Sequence, residues 1–174
     1  MIDLIPWTQR EFVFDQPVGT FPAVVERLRG TPARAAELVV GLPEEVLGNR
    51  VNEKWSVKEH LGHLVDLEAL DEKRLREFQN RVAVLSPADI GNQTTEHANH
   101  RATPIAELLG RLRAGRIALV QKLEELTDDE VAVIAVHPRL KKQMRIVDWA
   151  YFVAEHDDHH LAWVTRSIRE MSEV

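Results

Sequence analysis

Histidine is the residue type through which this chain could most readily do chemistry, because it has eight of them. Three fall in one short stretch, EHDDHH at residues 155–160. The spacing of four residues places His156 and His160 on one face of a helix, with their Cβ atoms about 6 Å apart. Two imidazoles at that separation can bind one ion at Zn–N distances of about 2.1 Å. The pair therefore predicts a divalent-metal site on a helix.

The environment of this pair is expected to be apolar. Trp149, Val153 and Trp163 recur on the same helix face at steps of three and four residues, which is the period of a buried stripe. A buried imidazole without a partner costs on the order of 1–3 kcal/mol, and a shared ion would give both histidines a partner. A His-x-x-x-His pair by itself is weak evidence for metal, since a histidine on an apolar face is more often a hydrogen-bonded core residue.

A third ligand must come from another part of the chain, because two imidazoles hold an ion weakly. His60 and His63 both qualify, since they lie one turn apart near the apolar face of a single predicted helix. The residue pattern alone does not choose between them.

The remaining histidines and nearby acids carry weaker signals. His97 and His100 fall in a polar stretch, where solvated loop side chains are expected. His159 points about 100° away from His160 around the helix, so we expect it beside a ligand or in solvent. Four acids could orient a ligand imidazole by accepting its second N–H, although each could equally be solvated: Asp66, Glu68, Asp157 and Asp158. No residue is assigned a catalytic role.

Four long helices are predicted to position these side chains. Apolar residues at spacings of three and four residues place them at about 20–42, 56–80, 103–126 and 146–171. Gly30-Thr31-Pro32 interrupts the first, which is therefore expected to be kinked or built of two pieces. A short helical turn is expected after Pro43. Four amphipathic helices of this length predict an all-α four-helix bundle with short extra helices in the connections.

Helix starts and connections are also indicated by the sequence. Two capping boxes are predicted, and each begins a helix. The first pairs Ser56 with Glu59, and the second pairs Thr127 with Glu130. Residues 81–103 are polar and predict a long loop, a feature that is often functional or mobile. No stretch alternates with a period of two, so no sheet is predicted.

Length and composition fit one domain spanning residues 1–174, with 44% apolar and 29% charged residues. The formal net charge of −6 and the absence of a dense Lys/Arg stripe disfavour nucleic acid as a ligand. The chain has no cysteine, which excludes disulfides, thiolate ligands and a cysteine nucleophile. It shows no signal peptide and no apolar run near the ~20 residues needed to span a bilayer. We therefore expect a cytoplasmic protein with no membrane partner.

Three motifs resemble the DinB/YfiT superfamily of metal-dependent enzymes. Residues 55–64, WSVKEHLGHL, resemble its W-S-x-x-E-x-x-x-H-L signature. Residues 156–161, HDDHHL, match its H-x-x-x-H motif near the C-terminus, and His137-Pro138 resembles an H-P element that precedes the last helix in one branch. The resemblance covers about residues 20–165, and the order of the motifs is more specific than any one of them.

The resemblance implies a DinB-like four-helix bundle with a three-histidine metal site. It selects His63, four residues after Glu59, over His60. The implied metal ligands are thus His63, His156 and His160, whose ligand nitrogens should lie within about 4 Å of one another. The cofactor is expected to be one divalent transition-metal ion, and zinc, nickel and iron all suit imidazole ligands.

The resemblance also implies a class of reaction. Some relatives transfer low-molecular-weight thiols onto electrophiles, and others are described as hydrolases. We therefore expect a metal-dependent thiol S-transferase or hydrolase that acts on a small molecule, and we expect a homodimer. The alternative is a non-catalytic stress or ligand-binding bundle with a structural metal. An open coordination position facing a pocket would favour catalysis, whereas a fourth protein ligand without a pocket would favour the structural role.

Overall fold

The computed structural model describes residues 2–172. Its helices are, in chain order, α1 (Phe21–Val39), α2 (Glu44–Gly48), α3 (Val57–Gln79), α4 (Gln93–His97), α5 (Ile105–Glu124), α6 (Asp128–Val131) and α7 (Ile146–Ser172). Short 3-10 turns lie at Trp7–Gln9, Val18–Thr20 and His100–Ala102, and two strands, β1 (Ile134–His137) and β2 (Lys142–Arg145), precede α7. The predicted bundle of four long helices with short helices in the connections is confirmed. Within the described range, no helix combines the length and apolarity needed to cross a membrane.

The four long helices pack in an order that differs from their order in the chain. Helix α1 packs against α5 and α7, and α3 packs against the same two helices. Helices α1 and α3 therefore occupy opposite corners of the bundle, and so do α5 and α7. This arrangement places α3 directly beside α7, so that the histidines of the two helices share one interior.

Helix α3 begins at the predicted capping box. The amide of Glu59 donates to the hydroxyl of Ser56 at 3.3 Å, and the amide of Ser56 donates to the carboxylate of Glu59 at 2.8 Å. Arg50 Nε adds hydrogen bonds of 3.0 Å to both carboxylate oxygens of Glu59. Because the first turn is fixed at both ends of the box, the angular position of His63 one turn later is fixed as well.

Two further predictions about helix boundaries have different outcomes. Helix α1 is one helix of 19 residues with Pro32 inside it. Of the two expected alternatives, a kink or two pieces, the division into two pieces is therefore not found. The second predicted capping box is present, with Thr127 and Glu130 at the start of α6. A proline removes one backbone donor from a helix, but α1 packs against both α5 and α7 along its length, and packing of this kind supports a helix across such a gap.

The prediction that the chain has no sheet was wrong in one place. Strands β1 and β2 form an antiparallel hairpin of four residue pairs. Four residues are too few for a two-residue alternation to be recognised in a sequence. Ala135 and Met144 from the two strands are buried in the larger apolar cluster of the bundle. The hairpin therefore covers one part of the core, and its turn, residues 138–141, projects from it.

The connection from α3 to α5 is more ordered than the predicted loop over residues 81–103. It contains α4 and the turn His100–Ala102, and both pack against α3. Thr95 and His100 in this connection are only 3% exposed. The burial of His100 corrects the expectation of a solvated loop histidine. Sequence periodicity could not show it, because polar hydrogen bonds hold this segment against the bundle and no apolar stripe marks it.

The interior of the bundle contains two apolar clusters with a polar layer between them. Along α7, the first cluster ends at Ala154 and the second begins at Leu161. His156, Asp157 and His160 fall between these two residues. The polar layer thus coincides with the predicted ligand positions on α7.

Candidate metal centre

One histidine from α3 and two from α7 meet in the polar layer. His63, His156 and His160 each offer one ring nitrogen, and these nitrogens lie within 4.8 Å of one another. The Nε2 atoms of His156 and His160 are 3.2 Å apart. Two atoms bound to one ion at about 2.1 Å can be no more than about 4.2 Å apart. The widest spacing is therefore slightly larger than expected, and the imidazoles would have to move closer together to bind one ion.

The geometry separates the two candidates on α3. His63 belongs to the group of three, whereas His60 lies against another edge of the His160 ring. The Nδ1 atoms of His60 and His160 are 3.0 Å apart. When Nδ1 of His160 carries the proton and donates to His60, the lone pair of His160 is on Nε2 and faces His156. His60 is thus placed to orient a candidate ligand.

A short chain of hydrogen bonds fixes the ring of His63. The hydroxyl of Thr95 lies 2.8 Å from Oδ2 of Asp66 and donates its proton to that carboxylate. The same hydroxyl accepts a hydrogen bond from Nδ1 of His63 at 2.9 Å. The lone pair of His63 is therefore on Nε2. Asp66 thus supports the imidazole, as the sequence suggested, but it acts through Thr95 instead of directly.

The imidazole of His100 holds the same carboxylate from another side. Its Nε2 donates to Oδ2 of Asp66 at 2.9 Å. The ring reaches this position by lying against the backbone of α3 at Gly62, where an added Cβ would be 2.2 Å from Cγ of His100. No side chain larger than hydrogen fits there without movement, so Gly62 is the residue that allows His100 to reach Asp66.

The donor set fits a divalent transition-metal ion. Burial lowers the pKa of His63 to about 4 and lowers the pKa values of His156 and His160 well below the usual value, with neighbouring histidines adding to the shifts of the last two. All three imidazoles are therefore neutral near pH 7, which is the state in which histidine binds metal. Three neutral nitrogen ligands suit zinc, nickel and iron alike.

Two tryptophans cover the imidazoles. Trp55, just before α3, has its ring centroid 5.1 Å from that of His63. Trp7, from the N-terminal segment, lies edge-on to His156 with a centroid distance of 4.7 Å. These rings keep bulk water away from the three imidazoles, and electrostatic interactions are stronger where water is excluded.

Asp157 lies between two of the candidate ligands in sequence, but its partners are elsewhere. It accepts hydrogen bonds from Arg116 at 2.9 Å and from Thr31 at 2.7 Å. Arg116 also lies 3.5 Å from Glu68 and 3.8 Å from Asp71. Burial raises the pKa of Glu68 to about 8 and that of Asp71 to about 6. The single positive charge of Arg116 offsets only part of this effect, because it is shared among three buried carboxylates. The suggestion that Asp157 or Glu68 orients a ligand is therefore replaced by a role in this buried ionic cluster.

The other polar candidates lie outside the group of three. His159 is half-buried and accepts a hydrogen bond from the indole N–H of Trp163 at 3.2 Å, so it adjoins the site without joining it. His97 is exposed, as expected for a loop histidine. Asp158 forms ion pairs with two arginines of α1.

A cavity of about 340 Å³ opens beside His156. Its wall includes His156 from the group, apolar residues from α3 and α7, and the turn of the β1–β2 hairpin. Small-molecule sites are usually concave, mostly apolar and of about this size or larger. The structure therefore brings a candidate metal-binding group and a space for a small molecule to the same place.

Sequence reasoning missed several residues that shape this site. Trp55 is the first residue of the signature motif. Its position just before a helix that carries histidines was the one sequence signal of a contact with them. Thr95, His100 and Trp7 carried none, because each reaches the site from a segment without regular periodicity. Their roles depend on contacts between distant parts of the chain.

Comparison with known proteins places this chain among helical bundles. A family model of the DinB superfamily matches residues 27–164. The solved structure of YfiT from Bacillus subtilis is similar, with a TM-score of 0.79 and 19% sequence identity over 94% of this chain and 92% of that chain. YfiT is described as a probable metal-dependent hydrolase with an unusual four-helix bundle topology. At this identity the similarity shows the fold alone. No curated protein matches the sequence.

Proposed function

Because this chain belongs to the DinB superfamily, we propose that it is a metal-dependent hydrolase of small molecules whose ion is held by His63, His156 and His160. The observation that carries this proposal is the convergence of three neutral imidazole nitrogens within 4.8 Å, one of them on His156, which lines a cavity. The description of YfiT as a metal-dependent hydrolase supports the same reaction class.

The number of ligands favours catalysis over a purely structural ion. Among residues 2–172, the group that could hold an ion contains three residues and no fourth ligand. Structural zinc sites usually close around four protein ligands, whereas catalytic sites keep one position open. An ion that served only to tie α3 to α7 would not need the adjoining cavity.

Each part of the site has a distinct task in this proposal. When bound, a divalent ion held by three imidazoles supplies Lewis-acid activation of water or of a substrate oxygen. Thr95 and His60 hold the rings of His63 and His160 in the orientation that exposes a lone pair. Trp7 and Trp55 exclude bulk water. The cavity holds the substrate against the side of the group formed by His156.

Elemental analysis of untagged protein tests the ligand set. We expect one divalent ion per chain in the wild type and loss of most of it in His63→Ala, His156→Ala and His160→Ala. His97→Ala is the matched control, because this histidine is exposed and lies outside the group. Retention of the wild-type metal content in the three variants would show that the ligand set is wrong. The measured element also identifies the metal.

A substrate screen of the metal-loaded protein tests the reaction class. Esters, amides and phosphate esters should include compounds that the wild type hydrolyses and that His156→Ala does not. The same screen includes transfer of small thiols onto electrophiles, for which the thiol must be a substrate because the chain has no cysteine. Thiol transfer without hydrolysis would change the reaction class, and neither activity in a metal-loaded protein would favour a structural ion.

A further inference from the structure

The cavity that His156 lines is also bordered by the turn of the β1–β2 hairpin. The part of the cavity next to this turn, with Pro138, Arg139 and Lys141, is its hairpin end. The rest of the wall is mainly apolar, and Leu67 and Leu70 of α3 stay only partly buried there. Apolar side chains that remain accessible inside a cavity are suited to cover the apolar body of a ligand.

Arg139 is partly buried, and its guanidinium lacks the partner that a cation removed from water needs. No carboxylate lies within 4.0 Å of it among the described residues, and its buried Nη2 makes no hydrogen bond. Desolvation lowers the pKa of Arg139, as burial does for a cation without a neighbouring carboxylate. An unsatisfied buried charge of this kind is costly and calls for a negatively charged partner.

Other cationic and donor groups accumulate at the same end. Arg74 also lines the cavity. Its Nε and Nη2 donate hydrogen bonds to the carbonyl of Ser86 at 3.0 and 2.9 Å. Lys141 is exposed and has no ion pair among residues 2–172. The pKa of His137 is lowered to about 3 by burial and by the charges of Arg74 and Arg139, so its ring is neutral. Three cations thus surround one end of a small cavity.

His137 adds a directed donor to these cations. Its Nδ1 accepts a hydrogen bond from the backbone amide of Leu140 at 3.2 Å. A neutral imidazole that accepts at Nδ1 carries its proton on Nε2. The ring therefore offers an N–H donor to the cavity that it lines.

The acidic residues near the cavity leave Arg139 unpaired. Asp157 is hydrogen-bonded to Arg116 at 2.9 Å, and Asp71 lies 3.8 Å from the same arginine. Asp71 and Glu77 also act on the charge of Arg74. Arg139 is therefore the cation of the hairpin end that is left without a carboxylate partner among the described residues.

We propose that the cavity binds a small molecule with an apolar body and a terminal oxyanion group, and that Arg139 binds the oxyanion while the body lies against the apolar wall of the cavity that His156 also lines. Arginine suits this task because its planar fork matches carboxylate and phosphate oxygens in two parallel hydrogen bonds. The identity of this molecule as the substrate rests on the proposed metal-dependent hydrolysis, whereas the binding of the anion does not.

Calorimetric titration with three probes of equal chain length tests this proposal. The probes are hexanoate, pentylphosphonate and the neutral hexanamide, which share a pentyl chain. Arg139→Gln removes the charge, and Arg113→Gln is the matched control because Arg113 is exposed on α5 and does not line this cavity. Each titration is made with metal-loaded and with chelator-treated protein, so that binding at Arg139 is separated from binding of a carboxylate to the ion.

We expect at least one anionic probe to bind about ten-fold more tightly than hexanamide, since a charge-assisted hydrogen bond is worth about that factor. In chelator-treated protein, Arg139→Gln should remove this advantage and leave hexanamide binding unchanged, and Arg113→Gln should have no effect. The better of the two anionic probes indicates carboxylate or phosphate as the natural group. Equal binding of charged and neutral probes, an unchanged preference in Arg139→Gln, or no saturable binding of either anion would overturn the proposal. Failure of the protein to take up metal would instead count against the proposed function.

Discussion

The hydroxyl of Thr95 lies 2.9 Å from Nδ1 of His63, which is 32 positions earlier in the chain. A residue of the connection between α3 and α5 thus orients an imidazole of α3. The two residues share no sequence motif. The contact nevertheless decides which nitrogen of His63 carries a lone pair, and the proposed metal site requires that choice.

Removal of this contact should weaken metal binding with little effect on the fold. Thr95→Val keeps the shape of the side chain but cannot accept the hydrogen bond from His63, and loss of such a supporting contact typically costs 10–100-fold, roughly, in metal affinity. Thr95→Ser should restore most of the affinity because it keeps the hydroxyl. Competition with a chromophoric zinc chelator measures both variants. Equal affinity of the Val and Ser variants would show that Thr95 has no part in orienting the ligand.

Removal of the metal should lower the melting temperature modestly and leave the bundle folded. The two apolar clusters lie on both sides of the polar layer and do not include the three imidazoles. The ion should therefore stabilise the native state only by mass action, by about 2.7 kcal/mol when the free metal is 100 times its dissociation constant. Circular dichroism with and without a chelator measures the change. Complete unfolding on chelation would instead make the ion structural.

Two glycine substitutions should have opposite effects on stability. Gly62→Ala places a Cβ 2.2 Å from Cγ of His100, and overpacking of this kind typically costs about 1–3 kcal/mol. Gly110→Ala, on the exposed face of α5, meets nothing within 4 Å and should stabilise the protein by about 0.5–1 kcal/mol, the usual gain in helix propensity. Chemical denaturation of both variants tests the pair. Stabilisation by Gly62→Ala would mean that His100 does not pack on α3 as described.

The buried cluster around Arg116 should make stability depend on pH through Glu68. Burial raises the folded-state pKa of Glu68 from 4.5 to about 8. Between these values the folded protein keeps the proton that the unfolded chain has lost, so the free energy of unfolding falls as the pH rises from about 4.5 to about 8.

Glu68→Gln cannot ionise, so its advantage in stability over the wild type should be small near pH 5 and several times larger at pH 8.5. The expected difference in the free energy of unfolding at pH 8.5 is more than about 1 kcal/mol, because the pKa of Glu68 is raised by more than one unit and one unit corresponds to about 1.4 kcal/mol. Urea unfolding at pH 5 and pH 8.5 measures it. Glu125→Gln on the exposed end of α5 is the control and should follow the wild type at both values. A difference for Glu68→Gln that does not change with pH would contradict the raised pKa.

Local sequence patterns predicted the parts of this molecule that depend on neighbouring residues. The capping residues Ser56 and Glu59 determined where α3 begins. The spacing of His156 and His160 determined that two imidazoles share a face, because a helix fixes that relation over one turn. The family resemblance, and not the spacing, selected His63 over His60, since both lie near the same face of α3.

The features that could not be predicted depend on segments that meet only in the folded bundle. His100 reaches Asp66 because a glycine one turn earlier on the facing helix leaves room for its ring. The hairpin that carries Arg139 has strands of four residues, which is too short for an alternating pattern. The first relation depends on the distance between two elements, and the second on a pattern too short to recognise, so a single sequence shows neither.

Trp7 packs edge-on against His156, and Trp55 lies close to His63, so the fluorescence of both indoles should report on the site. Indole emits in the near ultraviolet, and ions with partly filled d shells, such as Ni²⁺ and Co²⁺, accept that excitation energy at short range, whereas the filled shell of Zn²⁺ does not. Titration with Ni²⁺ or Co²⁺ should therefore dim the intrinsic emission of the protein far more than titration with Zn²⁺. The arrangement provides an optical signal of occupancy that needs no added dye.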